Sequence, residues 1–302
     1  MVMEDLKITV FTPTYNRVDL LGVLYVSLKN QSYKNFEWVI VDDGSTDTTE
    51  AFVKKIKEEN NLDIIYKKQE NQGKHIAINK GVSIANGECF FIVDSDDRLP
   101  KRSLEIISKK FNKIRNNKAV AGVVGLRCYF NGNVIGTKMP KDELLCTALE
   151  YRYTYNIVGD RAEAIKTSVL KEYSFPKFGE EKFLSESIVW NKISLKYNLL
   201  FFSENVYECE YLESGLTSNS IRLRRLYPKG AMHLYAELGN IKVVSFKIRS
   251  KAYVNFWRFY FCDLLNAYEN LQILNKKFIV FLYFPLGFLF FLKDSFTQKT
   301  KQ

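Results

Sequence analysis

Apolar positions in the first hundred residues come in short unbroken runs, each followed by a polar loop and then by a helical spacing. Ile8-Thr9-Val10-Phe11, Phe36-Glu37-Trp38-Val39-Ile40-Val41 and Phe90-Phe91-Ile92-Val93 are rich in β-branched and aromatic residues. Runs of this kind predict strands buried on both faces. Leu62 to Tyr66 predicts a further strand. Between them, Leu20, Leu21, Leu24 and Leu28 recur at helical spacing. Further helices are expected from about Thr49 to Glu59 and from Lys74 to about Ala85. A β-α-β-α-β order implies a parallel sheet with right-handed crossovers, and such sheets bind ligands at the carboxyl ends of their strands.

The second half is less regular. A helix is expected over Ser103 to Asn116 and a strand over Val120 to Tyr129. The turn Asn131-Gly132-Asn133 then leads into a hairpin partner, Val134-Ile135. Residues 137 to 177 mix helix and strand. A helix follows from about Ser185 to Tyr197, with short strands at Leu199 to Phe202 and Asn205 to Tyr211. Ala231 to Leu238 and Ser245 to Leu274 are predicted helices. Lys276-Lys277 then precedes an uncharged run, Phe278 to Leu292, that ends at Lys293. Fifteen helical residues reach about 22 Å. That is short of a hydrocarbon core of roughly 30 Å, and Pro285 and Gly287 interrupt the run. The reading is an interfacial or re-entrant membrane anchor; a short span and a helix packed on protein compete with it.

Charge sharpens this frame. Two of the predicted strands end in acids: Asp42-Asp43-Gly44-Ser45-Thr46-Asp47 and Asp94-Ser95-Asp96-Asp97. Carboxylates clustered at a strand end are costly to bury unpaired. They suit a divalent cation and, through it, a phosphate; a solvated acidic turn is the plainer alternative. Gly44 supplies turn freedom, and Ser45, Thr46 or Asp47 can cap the following helix. Gly73 frees a loop ahead of Lys74, whose charge at a helix N-terminus suits a phosphate.

Composition bounds the function. The 302 residues, 46% hydrophobic, suffice for one large domain or a domain with an appendage. The net charge of +10 and pI near 9.1 favour phosphorylated ligands or an anionic membrane. No zinc finger, RNA-recognition motif or basic helix is present, so nucleic acid is not an expected partner. Five scattered cysteines without a CxxC pair fit reduced thiols. Met1-Val2-Met3-Glu4-Asp5 has no basic or apolar leader, so no signal peptide is expected. The two histidines, His75 and His233, do not suggest histidine-based chemistry. Tyr151, Tyr153 and Tyr155 are candidates for stacking on a ligand face or, more ordinarily, half-buried sheet residues. Arg222, Arg224 and Arg225 could meet phosphates, an anionic membrane or solvent.

Thr12-Pro13-Thr14-Tyr15-Asn16-Arg17, Val41 to Asp47, Asn71-Gln72-Gly73-Lys74 with Ala77, Asn79 and Gly81, and Asp94 to Asp97 together resemble the four signatures of family 2 glycosyltransferases, in that family's order and spacing. The resemblance is dense over residues 6 to 100 and looser to about 217. It implies an α/β GT-A fold, a Rossmann-like, mostly parallel sheet flanked by helices. Residues 1–220 would form the catalytic domain, with the nucleotide-sugar half in 1–100 and the acceptor half in 101–220. Residues 221–302 would be a helical, membrane-associating extension.

The implied reaction is inverting, metal-dependent transfer of one sugar from a nucleoside-diphosphate sugar, a UDP-sugar first among them. The acceptor would be a glycan or lipid-linked molecule of capsular, exopolysaccharide or cell-envelope synthesis, handled at the cytoplasmic face of the membrane. Donor contacts would come from Pro13, Tyr15, Arg17, Asp42, Asp43, Lys74, Asn79, Asp94, Ser95 and Asp96. Asp96 and Asp97, supported by Asp94, would hold Mn²⁺ or Mg²⁺. The family's base lies in a Glu-Asp pair opening a later helix. Here the pair reads Ser185-Glu186, so Glu186 is the expected base and Glu181 the second choice. Glu213-Ser214-Gly215-Leu216-Thr217-Ser218 would fold over the diphosphate. No Gln-x-x-Arg-Trp accompanies the motifs, which favours single-sugar transfer, and an oligomer is compatible with the reading. A sugar-1-phosphate nucleotidyltransferase is an alternative, but its Gly-rich loop is missing. A non-catalytic nucleotide-sugar-binding protein is the other, against which the intact acids speak.

Overall fold

The computed structural model describes residues 5–211, 215–274 and 278–299, with side chains as far as 297. Glu213, Ser214, Lys276 and Lys277 lie outside the described residues. The chain divides into two compact units, Met1–Phe175 with Lys192–Glu210, and Pro176–Asn191 with Tyr211–Gln302. The division falls at 210/211, ten residues before the expected boundary, and assigns 176–191 to the second unit.

The first unit opens as the sequence pattern implies: β1 (Ile8–Thr14), α1 (Val18–Lys29), β2 (Phe36–Asp42), α2 (Thr49–Glu58), β3 (Asp63–Lys68), α3 (Lys74–Ile84) and β4 (Cys89–Ile92). It continues through α4 (Ser103–Ile114), β5 (Val120–Cys128), β6 (Glu143–Cys146), α5 (Ala148–Tyr153), β7 (Arg161–Lys166) and α6 (Thr167–Glu172). Helix α7 (Ser187–Ile193), of which residues to Asn191 belong to the second unit, follows in the chain, and β8 (Asn198–Glu208) completes an eight-stranded sheet ordered β3-β2-β1-β4-β7-β5-β8-β6. Strands β3, β2, β1 and β4 are parallel; β7 is antiparallel to both β4 and β5. Every residue of β1, β2 and β4 is buried, as runs covered on both faces require. Leu21, Leu24 and Leu28 of α1 pack into the same core as Trp38, Phe91 and Phe111.

Several expectations change here. The two short strands expected near 199–211 are one strand, β8, whose pairing with β5 slips between Val124 and Leu126. Bulged residues 202–204 break the apolar run without ending the strand. The expected hairpin after β5 reduces to a single bridge, Cys128 to Val134. Tyr151 lies on α5, buried, with its ring 3.8 Å from that of Phe201 and its hydroxyl bonded by Arg161 Nε at 2.8 Å. It is a core residue and offers no face to a sugar.

The second unit is helical: α8 (Ser220–Leu226), α9 (Pro228–Asn240), α10 (Phe246–Tyr260), α11 (Ala267–Gln272) and α12 (Phe284–Lys299). The helix expected over 245–274 is interrupted after Tyr260, around Cys262 and Asp263. A 3-10 stretch, Phe278–Tyr283, precedes α12. Met232, Phe256, Trp257 and Phe259 are at most 1% exposed at the centre of this unit.

Candidate active site at the carboxyl edge of the sheet

Strands β1 and β2 end level, with Thr14 opposite Asp42, so their loops leave from the same edge. Asn16 adopts a left-handed backbone, φ 51°, which asparagine tolerates. Its N–H donates to Ser45 Oγ at 2.9 Å, and its Oδ1 accepts from Thr46 N at 2.8 Å, which stitches the two loops together. Asp47 accepts from Thr49 N at 3.0 Å ahead of α2, whose N-cap is Thr48 rather than one of the expected residues and carries no side-chain cap. Burial works against that carboxylate, but the bonds from Thr49 outweigh it and lower its pKa.

Asp42 and Asp43 are buried and already engaged. Asp42 accepts from Ser45 N and from the Tyr66 hydroxyl, both at 2.7 Å. Asp43 accepts from Gln69 Nε2 at 2.8 Å, Gln72 N at 2.9 Å and Gly73 N at 2.8 Å. A carboxylate offers about four lone-pair sites, so each keeps acceptor capacity. Gly73, at φ 94°, takes the left-handed conformation that turns its N–H onto Asp43 and starts α3. The sequence motif around Gly73 thus has a structural cause: an Asp anchors the loop from which Lys74 projects.

The acidic turn after β4 gathers the remaining charges. Lys74 Nζ lies 2.6 Å from Asp94 Oδ1, and the Arg17 guanidinium pairs with Asp96. Asp97 accepts from the Tyr207 hydroxyl at 2.6 Å, and the same oxygen accepts from Asp94 N at 2.9 Å. Tyr207 stands on β8, fully buried and edge-on to Phe91, with Arg127 of β5 stacked 4.1 Å from its ring centre. Neither Tyr207 nor Arg127 was singled out from the sequence. They lie 110 and about 30 residues from the turn, and no local spacing could have linked them to it.

The electrostatics follow from this geometry. Burial opposes ionisation of Asp94, but the Lys74 and Arg127 charges prevail and hold its pKa below the usual value. Burial, joined by repulsion from Asp94 and Asp96, pushes the Asp97 carboxyl up to about 7 against the pull of the Tyr207 hydrogen bond. Three carboxylates make a hard-oxygen donor set that fits Mg²⁺ or Mn²⁺. Their mutual repulsion is what a divalent cation would relieve. Lys74 and Arg17 take up Asp94 and Asp96, and among the described residues no three His, Cys, Asp or Glu side chains stand ready as a metal cage.

The other expected donor residues are spread around this edge. Pro13 is buried in β1 opposite Val41, Ser95 is buried in the turn, and Tyr15 is 47% exposed. The Asn79 amide clamps the backbone of Phe175, donating to its carbonyl and accepting from its N–H, each at 2.8 Å. In the second unit, Glu186 opens α7, its carbonyl accepting from Val189 N at 3.0 Å. Glu181 accepts from Lys229 N at 2.7 Å and Gly230 N at 2.9 Å, so it caps α9. Burial raises the Glu181 pKa, partly offset by those two bonds.

This architecture is the GT-A fold. It matches Staphylococcus aureus TarS 1–349, solved with UDP-GlcNAc, at a TM-score of 0.61 and 22% identity over 93% of this chain and 79% of that one. It also matches a mannosyltransferase from Pyrobaculum calidifontis, solved with GDP-Man and Mn²⁺, at a TM-score of 0.57 and 19% identity over 97% of this chain and 88% of that one. At these identities the likeness is one of fold. The model of glycosyl transferase family 2 matches residues 9–168, and the chain belongs to that family. Glycosyltransferase GlyA of Streptococcus pneumoniae is 38% identical over 120 residues, 40% of this chain and 17% of that protein. A Campylobacter jejuni GalNAc(5)-diNAcBac-PP-undecaprenol beta-1,3-glucosyltransferase is 24% identical over 265 residues, 84% of this chain and 82% of the relative. The first-matching relatives are much longer proteins, of which the matched stretch spans less than a fifth.

Proposed function

We propose that this chain transfers a single sugar from a nucleoside-diphosphate sugar, a UDP-sugar foremost, to a glycan or lipid-linked acceptor of cell-surface polysaccharide synthesis, with inversion at the anomeric carbon. The observation that carries this reading is the pairing of Lys74 with Asp94 and Arg17 with Asp96 at the carboxyl edge of β1 and β4. Two cations and three carboxylates there hold charges that a donor diphosphate and a divalent cation would take over pairwise. The UDP-GlcNAc complex of TarS supports the donor class, and the lipid-linked substrate in the name of the Campylobacter relative supports the acceptor class.

Asp42 or Asp43 accepts hydrogen bonds from the nucleoside, with Pro13 and Tyr15 packing beside it. Arg17 and Lys74 exchange carboxylate partners for phosphate oxygens, and Asn79 and Ser95 complete the donor pocket. Asp96 and Asp97, supported by Asp94, would hold the metal. Bound Mg²⁺ or Mn²⁺ supplies positive charge that stabilises the departing diphosphate. Glu186 takes the acceptor hydroxyl proton as that oxygen bonds C1 and the C1–O bond to the diphosphate breaks. One base suffices, because no covalent intermediate forms. The cytoplasmic face of the membrane, where such donors and lipid-linked acceptors meet, is the place we assign to it.

The test is a donor panel: purified chain, UDP-, GDP- and dTDP-sugars, Mn²⁺ or chelator, and lipid-linked glycans as acceptors, scored for released nucleoside diphosphate. Metal-dependent release from one donor is the expected result. Released pyrophosphate would replace the reading with nucleotidyl transfer. No release and no thermal shift with any donor would overturn it.

A further inference from the structure

Among the described residues, one stretch, Phe278–Thr297, is long and apolar enough to cross a membrane. It extends past the uncharged run, so length alone no longer argues against a span. Its packing does. The inner side of α12 is committed to α10: a Cβ on Gly287 would meet Val254 O at 2.9 Å and Arg258 N at 3.1 Å, backbone atoms of that helix. Phe284, Phe288 and Phe291 surround Phe261 at 5.1, 4.9 and 5.6 Å. Asp294, 9% exposed, binds Arg258 through both oxygens at 2.7 Å, with Arg225 at 3.6 Å. A helix pulled out to span lipid would strip these charges of their partners, at high cost.

The outer side is exposed. Leu282 is 71% exposed, Leu286 47%, Leu289 60% and Phe296 69%, with exposed Lys293 on the same ridge. The second unit also carries the basic balance of the chain. It holds 16 Lys and Arg against 8 Asp and Glu, whereas the rest of the chain holds 28 against 26. An apolar ridge on a cationic unit is complementary to an anionic bilayer surface, where side chains enter the interface and lysines meet headgroups. A second copy of this chain would bring like charge to like charge.

We infer that the Phe278–Thr297 stretch docks this protein flat on an anionic membrane, its Leu282, Leu286 and Leu289 side chains inserted at the headgroup boundary and its Asp294 side held on α10. The inference stands apart from the transferase reading. The test is co-sedimentation of the full chain with phosphatidylcholine vesicles containing phosphatidylglycerol at about 30%, at low and high salt, followed by a carbonate wash at pH 11. The wild type binds, more weakly in salt, and the wash releases it. L286E/L289E weakens binding at least about tenfold with an unchanged circular dichroism spectrum and Tm, and the milder L289S weakens it about threefold. Absence of wild-type binding, equal binding by both variants, or resistance to the wash would overturn the inference. So would a wild-type dimer that L286E/L289E dissociates in the absence of vesicle binding, which would make the ridge a contact between copies.

Discussion

Tyr207→Phe tests whether the acidic turn is held by the far side of the sheet. Phenylalanine keeps the ring against Phe91 and under Arg127, so the change isolates one hydroxyl. That oxygen accepts from Asp94 N at 2.9 Å and donates to Asp97 at 2.6 Å. Leaving a buried N–H without its acceptor costs about 1–3 kcal/mol, and losing the bond to the carboxylate about 1–2 kcal/mol more. The expected loss is about 2–5 kcal/mol of unfolding free energy, or roughly 4–10 °C in Tm. The same bond pulls the Asp97 pKa down from where burial and its neighbours push it. Without it the carboxyl ionises at higher pH than about 7, so Mn²⁺ affinity falls at neutrality and recovers at alkaline pH. Urea denaturation measures the first effect and calorimetric Mn²⁺ titration from pH 6 to 8.5 the second. Stability within about 0.5 kcal/mol of wild type, with an unmoved Mn²⁺ pH profile, would refute the assignment of Tyr207 as the support of this turn.

Four further outcomes are expected. Glu186→Gln abolishes sugar transfer while donor binding, read by thermal shift, stays near wild type; equal transfer rates would remove Glu186 from the base role. For Asp97, a folded pKa of about 7 above an ordinary unfolded value means the metal-free fold binds the extra proton, so this group's stability contribution is present at low pH and lost as pH rises from about 4 to 7. Asp97→Asn removes that slope, and Mn²⁺ added to the wild type stabilises it progressively more from pH 6 to 8, both read from Tm. Glu181→Ala uncaps α9 and costs about 1–2 kcal/mol in urea unfolding, and Glu181→Gln less. Gly81→Ala drives a methyl into the Phe11 ring beneath α3 and costs about 1–3 kcal/mol, with weakened donor binding because Lys74 rides on the same helix.

Much of the first hundred residues was legible because its determinants are local. Apolar runs of four to six residues, helical leucine spacing and turn residues specify β1 to β4 and their crossovers without reference to the rest of the chain. Acids at two strand ends sit at one edge because parallel strands must all point their carboxyl ends the same way. The segment from 137 to 177 was not legible. Strands β6 and β7 are four and six residues long and owe their state to partners such as β8 and β4. Propensity over so short a window is weaker than tertiary context.

By itself, then, the chain's pattern determined a parallel first half, its acid-tipped strands and the glycine at 73 that lets the loop turn. Tertiary structure decided which groups meet those acids. Lys74 on Asp94, Arg17 on Asp96, Tyr207 on Asp97 and Asn79 on the Phe175 backbone are contacts between residues 20 to 110 positions apart. It also decided which side of α12 is covered, since the same apolar spacing suits a span, a core helix or a surface helix. Sequence periodicity fixes what a segment can bury; its neighbours in space determine what it does bury, and closing loops of such length is a property of the whole fold.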